Sequence, residues 1–295
     1  MILLTGATGF LGQYILDKFK SQNVITLGRS SKNDVICDLG LQIPELPNDI
    51  SAVIHCAGLA HETGATSSDV EYQKSHEQGM IHLLKALEKT SVQKIIFIST
   101  VAVYGLERGT GIDEGTPLNP QTAYGRYKLA AENILVNWAQ ARSISYCVLR
   151  PPLIFGEQPP GNLGHLIRAI QKNRYLLIQG VSPRKSMVDV NELSAFIVQH
   201  LETMTIQKSG VYNVTDGVSP DLHTLSNYLI KKYNPGFIRL TVPRFLIQLA
   251  AGIGDWIPGF PLTTKRLQKL SEPLTFSDQK ARQQIGWNGT TVLKN

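Results

Sequence analysis

Ile2-Leu3-Leu4-Thr5-Gly6-Ala7-Thr8-Gly9-Phe10-Leu11-Gly12 opens the chain. Three consecutive aliphatic residues form an apolar run of the length of a buried strand. A glycine-rich turn follows, and from Phe10 the pattern is helical. Each glycine has its own reason to be there. Gly6 permits the tight turn, Gly9 lets the backbone approach a pyrophosphate, and Gly12 lets the new helix pack closely on the strand, with its N-terminal N–H groups facing the anion. The spacing is G-x-x-G-x-x-G, not G-x-G-x-x-G, so the weight of the reading rests on its position directly after the first strand. The dinucleotide cradle this predicts comprises Gly6, Thr8, Gly9, Phe10, Leu11 and Gly12.

Outward from that turn, apolar runs at Val24 to Leu27, Val53 to His55, Ile95 to Ser99 and Tyr146 to Leu149 alternate with helix-length amphipathic stretches. The stretches are Phe10 to Lys20, Gln73 to Lys89 and Ala123 to Arg142. This alternation predicts an α/β fold, a Rossmann-type doubly wound parallel sheet with helices on both faces. After Arg150 the rhythm fails, interrupted by Pro151, Pro152, Pro159 and Pro160. The expected division is a dinucleotide-binding domain over 1–155 with a returning segment at about 181–200. A small C-terminal substrate-binding lobe, 156–180 and 201–295, completes the chain.

With 295 residues, 42% of them hydrophobic, the chain can bury a large core. Its net charge of +6 comes from lysines and arginines that read as scattered and without aromatic interleaving. That pattern favours a solvated surface or an anionic small ligand over nucleic acid. Met1 leads directly into the first strand, with no basic-then-apolar leader. The best membrane candidate, Phe245 to Ile257, is too short to span and contains Asp255, so it reads as a buried or docking helix with no membrane insertion. Cys37, Cys56 and Cys147 show neither disulfide nor metal spacing, which fits a reducing cytoplasm and no metal site.

Ligands of such sheets lie beyond the carboxyl ends of the strands. After the second strand stands Gly28-Arg29-Ser30, where an acid would serve the ribose 2′-hydroxyl of NAD. Arg29 can instead meet the 2′-phosphate of NADP, or be a plain surface arginine. Asp38 and Leu39 stand where adenine would lie, although an aspartate in a turn is equally ordinary. His55-Cys56-Ala57-Gly58 ends a strand in small residues, so that Ala57 and Gly58 let a ribose approach the backbone; His55 itself reads as packed. Ser99-Thr100 places hydroxyls at the next exit, and Tyr124 and Lys128 follow on a helix. Positions i and i+4 share a helical face. A free phenol has a pKa of about 10 and needs a neighbouring cation to act as a base near neutrality. Lys128 can provide that cation, and the Thr100 hydroxyl can hold the substrate oxygen beside the phenol.

Together these motifs resemble the extended short-chain dehydrogenase/reductases, in particular the NAD-dependent epimerase/dehydratase family that modifies nucleotide sugars. The resemblance rests on Gly6 to Gly12, Val53 to Gly58, Ser99 to Gly105, Tyr124 to Lys128, Leu149 to Gly156, and the closing Leu274 to Arg282 with Ile285-Gly286-Trp287. It implies Tyr124 as acid/base, Lys128 as its tuner and ribose ligand, Thr100 as the orienting hydroxyl, and Pro151 bordering the nicotinamide. It also implies a nucleotide-sugar substrate whose diphosphate is gripped by Asn162 and by Arg184 or Lys185. Arg184-Lys185-Ser186-Met187 departs from the family's commoner Arg-Asp-Phe-Ile, which leaves the choice between the two cations open. A homodimer through the two long helices is a further implication.

The chemistry so implied is hydride transfer at C4 of a sugar, by a 4-epimerase or a 4-keto reductase. Val101 and Ala102 follow Thr100 where a 4,6-dehydratase would carry an acidic pair, so dehydration is disfavoured. Arg29 leans toward NADP over NAD, and hence toward a reductase. A sterol-type dehydrogenase and a non-catalytic dinucleotide sensor are the alternatives. Retention of both Tyr124 and Lys128 speaks against the sensor.

Overall fold

A computed structural model of the chain describes residues 1–19, 23–59, 68–239, 241–256 and 263–293. Seven parallel strands form the main sheet: β1 (Ile2–Thr5), β2 (Val24–Gly28), β3 (Val35–Ile36), β4 (Ala52–His55), β5 (Lys94–Ile98), β7 (Ser145–Arg150) and β11 (Gly210–Asn213). Their order is β11-β7-β5-β4-β1-β2-β3. From β1 the chain winds first to β2 and β3, then back past β1 to β4, β5, β7 and β11. The order therefore reverses between β1 and β4, which is where a ligand crevice opens in such sheets.

Alternate side chains of each strand enter opposite cores, as the pleat requires. Leu4, Ile54, Ile96 and Cys147 pack under α1 (Phe10–Lys18) and α6 (Val190–Thr203). Leu3, Val53, Ile95 and Val148 pack under α3 (Gly79–Leu87) and α4 (Ala123–Ala141). Between α2 (Asp69–Tyr72) and α3 the chain makes a π-helical turn, Gln73–Gln78. The expected helix over Gln73 to Lys89 thus has a bulge at its start. The expected end of α1, Lys20, lies outside the described residues.

The remaining elements are β6 (Gly109–Ile112), β8 (Leu153–Phe155), α5 (Gly161–Gln171), β9 (Leu177–Ile178), β10 (Met187–Asp189), α7 (Leu222–Tyr233), β12 (Thr241–Val242), α8 (Arg244–Gly254), α9 (Thr264–Ser271), β13 (Leu274–Phe276) and α10 (Gln279–Ile285). A separate core joins α5 and α7 through Leu163, Ile167, Leu225 and Leu229, with Phe155, Phe237 and Val292. The chain's return to the main sheet runs farther than 181–200. β11 pairs with β7, and Val214, Ala281, Ile285 and Trp287 join the core under α1 and α6. Four-residue β11, beginning at a glycine and ending in a buried asparagine, lacks the apolar run that marked the other strands.

Among the described residues no helix is long and apolar enough to cross a membrane. Nor, among them, do three or more His, Cys, Asp or Glu side chains cluster as metal ligands.

Candidate active site

The first turn brings its backbone hard against the exit of β4. Gly6 has a φ of +74°, and a Cβ there would lie 2.7 Å from the Ala57 nitrogen. A Cβ on Gly12 would lie 2.0 Å from the Gly6 carbonyl oxygen, so neither position admits a side chain without displacing backbone. Gly9 donates its N–H to the Gly6 carbonyl at 3.0 Å and precedes α1, whose N-terminus no side chain caps. Thr8 and Gly9 are exposed there, Phe10 is half-buried against Tyr14, and Leu11 is buried in the core. An uncapped helix N-terminus behind an open glycine turn fits an anionic pyrophosphate.

The β4 exit is braced from below. Thr5 Oγ1 shares a 2.7 Å hydrogen bond with His55 Nδ1 and accepts the Ala57 N–H at 3.2 Å. His55 is buried and stacked on Phe97, and burial depresses its pKa to about 3, so it is a packed neutral ring. Next in the chain, Gly58 has a φ of +152°, and a Cβ on it would stand 2.5 Å from the His76 ring. His76 in turn meets Tyr124 edge-on at 5.5 Å, and Tyr72 meets the same ring at 6.1 Å. The phenol is thereby linked by direct contacts to the glycine turn.

Thr100, Tyr124 and Lys128 come together at the exit of β5. Thr122 caps α4 by accepting the Gly125 N–H at 3.1 Å, which starts the helix two residues before Tyr124. A Cβ on Gly125 would fall 2.7 Å from the Ala102 carbonyl, so this glycine lets α4 lie against the turn that carries Thr100. Thr100 hydrogen-bonds the Tyr124 phenol. Lys128 is buried, donates Nζ–H to the Ile98 carbonyl at 2.8 Å, and sits 4.7 Å over the Phe97 ring. Burial pushes the Tyr124 phenol up to about 12, against a lowering by Thr100, and pushes Lys128 down to about 8. The depressed phenol expected from Lys128 is therefore not the resting state of the chain. Desolvation of the buried phenol outweighs the Thr100 hydrogen bond that favours its ionised form.

Beneath these three lies a buried polar network that the sequence reading missed. Arg150, at the end of β7, grips Glu132 with Nε at 3.0 Å and Nη2 at 2.6 Å. The Ser99 hydroxyl donates to the same carboxylate in a short hydrogen bond. Arg150 Nη1 also donates to the Tyr104 hydroxyl at 3.1 Å, which itself donates to Asn213 Oδ1 at 2.9 Å. The available signal was that Glu132 follows Tyr124 and Lys128 at i+8 and i+4, on one helical face.

Arg29 is exposed at the exit of β2. Asp38 turns Oδ1 onto the Gly40 N–H at 2.9 Å, an ordinary aspartate turn, and Leu39 is buried with its carbonyl on His82 Nδ1 at 2.7 Å. Pro151 is buried, and its carbonyl accepts the Val101 N–H at 3.3 Å, beside Thr100. On the other side of the molecule's chain order, Asn162 is exposed on the first turn of α5. Arg184 donates Nε to Ser219 O at 3.0 Å and Nη2 to Val218 O at 2.9 Å, while Lys185 donates Nζ to Glu272 O at 2.8 Å. Arg184 lines a cavity of about 640 Å³ with Leu177, Gly180, Ser182, Asp221 and Thr241. Neither Asn162 nor Lys185 lines it.

A model of the NAD dependent epimerase/dehydratase family matches residues 2–215. The N-acetyl-alpha-D-glucosaminyl-diphospho-ditrans,octacis-undecaprenol 4-epimerase of Escherichia coli O157:H7 is 31% identical over 75% of this chain and 68% of its own length. The UDP-glucose 4-epimerase of Streptococcus mutans is 26% identical over 97% of this chain and 91% of its own. Among solved structures, UDP-glucuronic acid 4-epimerase from Bacillus cereus in complex with NAD has the same fold, with a TM-score of 0.74, 18% identity, and coverage of 99% and 94%.

Proposed function

Because this chain belongs to the NAD dependent epimerase/dehydratase family, we propose that it is a 4-epimerase acting on a sugar esterified to a diphosphate, with Tyr124 as the acid/base. The observation that carries the reading is the junction of Thr100, Tyr124 and Lys128 beside a glycine turn that no side chain fills. The residues present fit a nicotinamide dinucleotide. Gly6 and Gly12 let the turn pack tightly so that exposed Gly9 presents bare backbone to the pyrophosphate at an uncapped helix, Ala57 and Gly58 offer backbone for a ribose, and Pro151 closes the floor beside Thr100.

When bound, the cofactor supplies the hydride acceptor and donor. The chain supplies the proton inventory. At rest the Tyr124 phenol is protonated, ready to give its proton to a 4-keto oxygen. To take the proton of the C4 hydroxyl it must become phenolate, and positive charge from the Lys128 ammonium favours that form. Thr100 fixes the phenol and offers its own hydroxyl to the sugar oxygen.

Arg184, anchored by two backbone carbonyls in the cavity wall, is the better placed of the two expected cations to meet a diphosphate. Asn162, exposed on α5 and outside that cavity, is the second expected diphosphate ligand in this reading. The chain around the α5–α7 core is the substrate lobe. A second reading, a 4-keto reductase that uses NADP, draws on the exposure of Arg29 at the β2 exit.

Incubation with UDP-, GDP- and dTDP-sugars and their 4-keto forms, with NAD or NADP added, tests both by product identification. The epimerase interconverts C4 isomers without net change in reduced cofactor; the reductase consumes it in proportion to product. Arg29→Ala should then weaken NADP and spare NAD. No turnover of any sugar diphosphate sinks both readings.

A further inference from the structure

The surplus positive charge of the chain is gathered in one stretch of its sequence. Residues 231–270 hold seven lysines and arginines against Asp255 alone, a net +6, equal to the net charge of the whole chain. The remainder is balanced, which corrects the reading of the basic residues as scattered.

The same stretch turns apolar side chains to solvent. On α8, Phe245, Leu249 and Ile253 recur at i, i+4 and i+8 and are 60%, 61% and 60% exposed. Leu246 lies alongside at 45%, and Trp256, just past the helix, is 88% exposed. Ala251 and Gly254 face inward. This helix forms most of the segment expected to be buried or docking, whose last residue, Ile257, lies outside the described residues. Arg244 opens α8 and is exposed, Arg239 ahead of β12 is exposed too, and α9, rich in lysine and arginine, packs against α8. An apolar stripe of this size in water marks an interaction surface.

Charge decides what covers it. A second copy docked about a two-fold axis would set the patch against itself, bringing Arg244 and the lysine- and arginine-rich α9 of each copy toward their counterparts. A partner of opposite charge suits it, and a tryptophan at the end of an apolar stripe with an arginine at its start is the pattern of helices lying in a bilayer interface. We propose that the α8 face is a peripheral docking surface for an anionic membrane. Phe245, Leu249, Ile253 and Trp256 enter the headgroup boundary, and the flanking cations meet lipid phosphates. Thr241 of β12 lines the Arg184 cavity and α8 begins at Arg244, so docking holds that cavity near the membrane surface. The proposal goes beyond the epimerase reading and stands apart from it.

The test is co-sedimentation of the full chain with vesicles of phosphatidylglycerol mixed with phosphatidylcholine, and with phosphatidylcholine alone. The wild type should bind the anionic vesicles, and should bind neutral ones at least about tenfold more weakly. Salt raised from about 0.1 M to about 0.5 M should weaken the binding. The triple variant Phe245→Gln, Leu249→Gln, Trp256→Gln should lose at least about tenfold with its thermal unfolding unchanged. Should the triple variant misfold, Trp256→Phe alone serves: the blue shift in tryptophan fluorescence on vesicle addition should be present in the wild type and lost in the variant. Wild type left in the supernatant, a variant that binds as well as wild type, or equal binding to both lipids overturns the proposal. So does an absence of vesicle binding combined with self-association in sedimentation equilibrium that the triple variant abolishes.

Discussion

At Tyr124 two opposing influences meet on one oxygen: burial raises the phenol to about 12, and the Thr100 hydrogen bond pulls it down. At pH 7 a phenol of that pKa is ionised to only about one part in 10⁵, so it rests protonated. Tyr124→Phe keeps the ring and its contacts with His76 and Tyr72 but removes the proton. Turnover should fall by about 10²-fold or more while dinucleotide binding persists. Thr100→Val should act through the pKa instead. Losing the bond that favours phenolate raises the pKa further, so the acidic limb of the kcat profile should move up by about one unit, and Thr100→Ser should restore it. Identical pH profiles for Val and Ser at this position would show that Thr100 does not tune the phenol.

Among the elements, β5, α4 and β7 meet at one buried ion pair next to Thr100 and Lys128. Ser99 at the exit of β5, Glu132 on α4 and Arg150 at the end of β7 are joined through two side chains that are 3% and 4% exposed. A paired buried charge adds little net stability, but one left alone costs about 3–5 kcal/mol. Glu132→Leu and Arg150→Met should therefore each destabilise by about that much in urea unfolding. The double variant should cost far less than the two together, and strict additivity would mean that the pair is not coupled. The pairing of Glu132 with Arg150 was hidden from sequence because the two meet only when α4 packs on β7, whereas local spacing was enough to put Gly6, Gly9 and Gly12 in one turn and Tyr124 and Lys128 on one helical face. The π-helical turn that seats His76 against Tyr124 has no periodic signature either. α8 shows the same limit from the other side, since an apolar helix face reads alike in sequence whether a core or solvent covers it. The +6 stretch, by contrast, was legible all along and needed only counting by segment.

Over the whole molecule, three buried imidazoles make stability depend on pH. Burial, the largest cause in each case, lowers His55 to about 3, His76 to about 2 and His200 to about 4, from an ordinary 6.5. The unfolded chain binds protons at these sites as the pH drops through 6.5, and the folded chain does not. Stability is thus fully present above about pH 7 and is lost as the pH falls toward the folded values. At pH 5 the loss is about 2 kcal/mol for each histidine, and the three together rival the 5–15 kcal/mol that holds a typical domain folded. The lowered carboxyls of Asp34, held by Thr26, and of Asp221, hydrogen-bonded by Ser182 and Thr224, push in the same direction at still lower pH. His200 isolates one share of the effect. It lies far from the Tyr124 junction in the α6 core, stacks on Phe196 at 5.2 Å, and has a buried Nε2 without a partner. His200→Phe preserves the stack and removes the proton site, so the fall in urea midpoint from pH 7 to pH 5 should shrink by about a third. A fall of the same size in wild type and variant would mean that His200 is protonated in the folded chain, and that burial at this position does not exclude the charge.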